Sequence, residues 1–376
     1  MHREFLTHLA CDQSPKIAGI RLERTTPAEG DRFLALLEQL GLLQWTQVHR
    51  LAGGALEAAL TPPAANALMP RFETIALAER LSGTPSLPRE ILAALLGSPV
   101  RYDYPSLAEF EAALRVRAHI VDAASKTQLA FATGAAERPW DYWAYDNERG
   151  FTVRPGKSLI DALRKATQPE NPEQKFAFSC YRATEYILLL AIAQELSEHN
   201  PALYARLQKQ WETEAIMSGQ FHEVFLNEVG SLQAPLPAGY YIPGDRLWFR
   251  NPDERSADIA GYEGSWVFYL GGGLFSNFWH ANQPYTLTRK CLEIYHWRHG
   301  VEPAGSDGEL GMDEDRVEAC VQESLAHPAE TRRILERMIR LRDGRGIYAD
   351  GGCIDATREC ARPVCPETAD IRLPEH

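Results

Sequence analysis

The sequence lacks a basic surplus. Lys and Arg total 39 against 51 Asp and Glu in 376 residues, the net charge is -12 and the isoelectric point is near 5.5. No cluster of Lys and Arg stands out from that acidic balance, so neither a nucleic-acid backbone nor an anionic membrane is an expected partner. Long apolar runs are missing too. The longest, Tyr186 to Ala193, is eight residues, against the roughly 20 that cross a bilayer. The opening MHREFLTHLACDQSPK has no apolar stretch of the ~7–15 residues that a secretory leader needs. The expectation is cytoplasmic residence, and leaderless export is compatible with it.

Cysteine pairs are also scarce. The seven cysteines are Cys11, Cys180, Cys291, Cys320, Cys353, Cys360 and Cys365, an odd count with four of them isolated, which argues against a full disulfide framework. The spacers separating Cys353, Cys360 and Cys365 miss the CxxC knuckles of a structural zinc site, which leaves reduced thiols or a local disulfide. The acidic stretch Asp307 to Asp315 has no EF-hand spacing and reads as a solvated linker. No metal and no cofactor are expected, and no internal repeat is found.

What is present is ordinary globular usage: 45% apolar and 24% charged residues, with 27 Gly and 24 Pro. The length exceeds one domain of about 150 residues. Residues 1–85 read as a small mixed α/β lobe, with the apolar segment Ile17 to Leu22, an amphipathic pattern over Asp31 to Leu42, and a Pro-rich break at Pro62 and Pro63. From Ser98 the texture changes. Ser106 and Glu109 form a capping-box pattern before a helix carrying Leu107, Phe110, Leu114 and Val121. Tyr142 to Val153 predicts a hairpin, Lys157 to Ala166 a helix, and Leu247–Arg250, Trp266–Leu270 and Leu274–Phe278 three adjacent antiparallel strands. The stretch from Pro303 to Asp315 reads as a linker, Arg316 to Arg342 as helical, and the last 30 residues as irregular. The expected division is 1–85, 86–300 and 301–376.

Chemistry concentrates in KFAFSCYRATEYILLLAIAQEL. Tyr186 to Ala193 are apolar all round, so a helix built from them must be buried. That helix would start at Cys180 with Ser179 as N-cap, which puts the thiol against unpaired N–H groups and the positive end of the helix dipole. A depressed thiol pKa and a nucleophile follow; a small buried apolar residue is the competing fate of such a cysteine. A thiolate needs a base within about 3 Å. His280, after the third strand and beside Asn277 and Asn282, is the candidate, whereas His119, His222 and His296 fall in predicted helices.

Several pieces together resemble the spore-coat type of bacterial protein-glutamine gamma-glutamyltransferase, whose core is similar to the papain-like NlpC/P60 cysteine hydrolases. They are SPVRYDYPSLAEFEAALRVRAHIVDAA, YWAYDNERG with KSLIDALRK, FAFSCYRATEYILLLAI, GDRLWFRNPD, and EGSWVFYLGG with the run to His280, in the family's order over roughly residues 85–300. The resemblance implies an α+β fold with a buried nucleophile helix against an antiparallel sheet, Cys180 as nucleophile and His280 as its histidine. The family's carboxylates match less closely. Ser179 stands where the family has Glu before the nucleophile, and the other Glu aligns on Ser265, with Glu263 two residues away on the same strand face. Glu263 is the expected third group; Ser265, Asn282 or no third group are the alternatives.

The implied reaction is acyl transfer from a protein glutamine through a Cys180 thioester to a lysine amine, with no cofactor. Trp248, Trp266, Phe278 and Trp279 are the aromatics expected to exclude water from the site, ordinary strand core being the competing role. A glutamine deamidase or cell-wall amidase using the same Cys/His pair, exported as an effector, is the first alternative. A non-catalytic binding module is the second.

Overall fold

The computed structural model describes residues 17–134, 136–171, 173–280, 282–304, 309–342, 348 and 351–374; Cys11, the opening segment and Asp307 lie outside them. The chain is α+β. The segment Ile20–Leu22 runs antiparallel to Leu56–Leu60 and parallel to Tyr102–Tyr104, and Thr46–Arg50 forms the outer edge of this four-stranded sheet. Helix Pro27–Gln39 starts at a complete capping box, in which Thr26 Oγ1 accepts from Glu29 N–H and the Glu29 carboxylate accepts from Thr26 N–H. Its Phe33 and Leu37, one turn apart, bury against the sheet together with the apolar helix Leu87–Leu96.

Helix Cys180–His199 has no polar stripe. Ala183, Ile187 to Ala193 and Leu196 are all buried, held between helices Leu107–Lys126 and Leu159–Thr167 and the strand Gly264–Gly271. Each fully buried Leu or Ile contributes roughly 1.5–3 kcal/mol. This helix therefore belongs to the most strongly determined part of the fold, and its first turn is fixed with it. Across from it lies a six-stranded antiparallel sheet in the order Tyr285–Thr286, Leu274–Phe275, Gly264–Gly271, Arg246–Arg250, Arg358–Ala361 and Leu226–Val229. Helices Leu287–Gly300, Glu314–Ala326 and Pro328–Met338 pack together over Leu247, Phe249 and Val267 of this sheet.

The hairpin Trp143–Asp146/Gly150–Val153, helix Leu159–Thr167 and the three adjacent strands stand where the pattern predicts them. Three features differ. The tail is not irregular: Arg358–Ala361 pairs between Arg246–Arg250 and the edge strand Leu226–Val229, where its buried Glu359 meets the Arg246 guanidinium. The expected linker folds back as a hairpin, Val301–Ala304 against Glu309–Met312, and Asp313 caps the next helix. Ser106 caps its helix by accepting from Glu109 N–H, but no capping box closes. The Glu109 carboxylate instead accepts from Val364 N–H at 2.8 Å, Cys365 N–H at 3.0 Å and Thr368 Oγ1, three donors that a helix-start pattern cannot reveal. The six described cysteines are free.

Candidate active site

Ser179 Oγ accepts from Arg182 N–H at 3.3 Å and starts the buried helix at Cys180. The cysteine keeps partial solvent exposure. Burial nonetheless raises its thiol pKa above the ordinary 9.0, the main-chain N–H groups of Trp266 and Tyr181 and the charges of Lys290 and Arg246 working in the opposite direction. The predicted depressed pKa is thus overturned: enclosure by helix and sheet outweighs the helix terminus, so the resting sulfur holds its proton. Such a thiol needs a base to become a nucleophile.

The segment 129–133 links the chain just before the cysteine to the segments that carry the other predicted groups. Phe131 pairs with Phe178 in a short parallel ladder, and Ala132 N–H donates to Phe178 O at 2.9 Å, two residues before Cys180. On one side, Leu129 N–H donates to Phe278 O, and the Trp279 ring meets Phe131 edge-on at 5.2 Å. On the other, Tyr262 meets Phe131 at 6.1 Å, and Gly261 at φ +92° lies so close that an added Cβ would stand 2.7 Å from Phe131 Cζ and from Thr133 Cγ2. His280 follows Trp279, and Glu263 follows Tyr262. Both side chains are exposed. His280 N–H and Trp279 N–H donate to Asn277 Oδ1, the His280 ring acts on Glu318, and the Glu263 carboxylate accepts from Gly261 N–H at 3.0 Å. Among the described residues no hydrogen bond joins His280 or Glu263 to Cys180. The fold brings their backbone segments to the same short strand and leaves both side chains pointing at solvent.

Of the predicted aromatics, Trp266 reaches the sulfur through its backbone N–H. Its indole stacks on Trp248, its cross-strand partner, at 5.4 Å and 12°. Arg246 lies 3.9 Å over Trp266 and 4.7 Å over Tyr181, and Arg250 lies 3.9 Å over Trp248, so the stacked indoles are held between two guanidinium groups. Phe278 is buried in the core rather than at the site. Arg246 and Glu359 are the groups that sequence pattern missed. The buried Arg246 guanidinium pairs with Glu359 and donates to Thr184 Oγ1 at 2.8 Å, and His222 Nε2 lies 3.2 Å from Glu359. A charge inside an apolar strand was the available signal; its partner, 113 residues later, was not.

A family model described as protein-glutamine gamma-glutamyltransferase matches residues 72–350, well over half of the chain. The chain belongs to the protein-glutamine gamma-glutamyltransferase family. As an enzyme of this family it is a transglutaminase, and protein glutamine acyl transfer is its general chemistry. Among solved structures, a transglutaminase from Geobacillus stearothermophilus without its C-terminal extension is similar over 56% of this chain and 96% of its own, at 20% identity and a TM-score of 0.38. Nothing among curated proteins matches the chain. In this transglutaminase family member, no described helix is long and apolar enough to cross a membrane.

Proposed function

We propose that this transglutaminase joins protein glutamine side chains to lysine amines through a thioester on Cys180, within a papain-like, NlpC/P60-like core spanning residues 86–300. The observation that carries the reading is the partly buried Cys180 at the first turn of a buried helix, with two main-chain N–H groups facing its sulfur. His280 takes the thiol proton as sulfur attacks the carboxamide carbon. The oxyanion forms beside the N–H groups of Trp266 and Tyr181, each such donor being worth roughly 3 kcal/mol. His280 returns the proton to the departing ammonia, and a lysine amine then attacks the thioester, restoring the thiol and leaving an isopeptide bond. Glu263 orients the imidazole, and Trp248, Trp266 and Trp279 hold the substrate chain. For proton exchange the imidazole must swing from its exposed position to within about 3 Å of sulfur.

Incubation with a glutamine-containing casein and a fluorescent primary amine tests this. Covalent label together with ammonia, both abolished by Cys180→Ser and strongly reduced by His280→Ala, is the expected result. Ammonia without label makes the enzyme a glutamine deamidase, and label that survives Cys180→Ser overturns the assignment of the nucleophile.

A further inference from the structure

A second constellation lies outside the candidate active site, where helix Leu287–Gly300 ends against helix Glu314–Ala326. His296 and His299, three residues apart, share one face of the first helix, and their Nδ1 atoms stand 2.9 Å apart. Cys320 faces them from the second helix, and the two ring nitrogens and the sulfur all lie within 4.8 Å of one another. One turn beyond Cys320 on that helix, the buried Ser324 Oγ sits 2.8 Å from His296 Nε2. In the tautomer in which Nε2–H donates to Ser324 Oγ, that contact matches the outer contact of a metal-bound imidazole, and the His296 Nδ1 lone pair accepts from His299 Nδ1–H until an ion takes its place. Glu330, from the third helix of the layer, and Asp253 supply negative charge to these rings, opposite Arg298 and Arg316.

We propose that His296 Nδ1, His299 Nδ1 and Cys320 Sγ form a binding site for one divalent transition ion of the zinc class. Two nitrogens bound at ~2.0 Å in a tetrahedron stand about 3.3 Å apart, so the rings need open by only a few tenths of an ångström from their present separation. The partly exposed Cys320 closes the site by moving its sulfur to ~2.3 Å from the ion. Two imidazoles and a thiolate select zinc or cobalt over magnesium or calcium, and three protein ligands leave a fourth position for water. Binding releases the Cys320 thiol proton, while His299 moves its proton from Nδ1 to Nε2 without net loss. The ion clips the C-terminal helices to the helix that also carries Lys290, one of the charges acting on Cys180.

The test is zinc titration of the full chain, followed by the absorption spectrum of the cobalt-loaded protein. One ion per chain, about one proton released, a thiolate-to-cobalt band that Cys320→Ser removes, and a raised melting temperature in zinc are expected. Ser324→Ala should weaken binding ~10–100-fold while keeping the stoichiometry. Cys180→Ser should bind as the parent does, which separates this site from the proposed nucleophile. No stoichiometric binding by the parent chain, or binding that both Cys320→Ser and His299→Ala leave unchanged, overturns the proposal. The plain histidine–histidine hydrogen bond is then the whole function of the pair.

Discussion

Gly264, the first residue of the strand that faces Cys180, is the sharpest point at which to perturb the site. A Cβ there would stand 1.9 Å from Trp248 Nε1 and 2.6 Å from the Phe249 carbonyl oxygen. The indole can tilt. The carbonyl belongs to the paired strand and cannot move without the ladder. Restoring an ordinary contact of 3.4 Å requires about 0.8 Å of strand displacement. Overpacking of this kind costs about 1–3 kcal/mol, and Gly264→Ala should lower the unfolding free energy by that amount. The same displacement carries away the Trp266 N–H that faces the sulfur, and since a misplacement near 1 Å costs ~100-fold in rate, amine incorporation into casein should fall ~10–100-fold. Adding Trp248→Leu removes one of the two clashes and leaves the carbonyl. The double variant should therefore regain part of the stability, with a coupling of at least ~0.5 kcal/mol, and little of the rate. A Gly264→Ala protein with parental melting temperature and parental label incorporation would refute the reasoning, because it would mean that the strand start is loose and does not set the geometry at Cys180.

Alkylation of Cys180 by iodoacetamide should have its pH midpoint above the ordinary thiol value of 9.0, and Lys290→Met should move it higher still, since Lys290 favours the thiolate; a midpoint below that value contradicts the burial argument. Glu109→Ala leaves the N–H groups of Val364 and Cys365 without their acceptor, at ~1–3 kcal/mol each. Its urea midpoint should drop accordingly, exchange of those two amides should accelerate, and Glu109→Gln should retain part of both. The Glu90 pKa is raised by burial, although Gly272 N–H and the Tyr269 hydroxyl bond its carboxylate. The folded state then binds more protons than the unfolded one above the ordinary 4.5, so this residue's contribution to stability falls as pH rises from there. Glu90→Gln should flatten that part of the pH–stability curve measured by urea unfolding, and an unchanged slope would show that Glu90 ionises normally in the folded chain.

Local pattern was enough wherever a segment's own residues settled its state. The apolar run Tyr186 to Ala193 demanded a buried helix, Ser179 placed its first turn at Cys180, and alternating apolar residues marked the three strands, because periodicity and capping act over a few residues. His296 read only as a residue of a predicted helix, and nothing nearby in sequence pointed to Cys320 as its partner.

Tertiary structure decided the rest. Arg246 found Glu359, Glu109 turned from its own helix cap to the amides of a tail 255 residues away, and Arg358–Ala361 entered the central sheet, each through a contact that local spacing cannot encode. The Cys180 ionisation shows the same division. A helix start reads as favouring the thiolate, since its N–H groups belong to adjacent residues, whereas the desolvation that prevails comes from helices and strands far along the chain, and only their packing sets how much water reaches the sulfur.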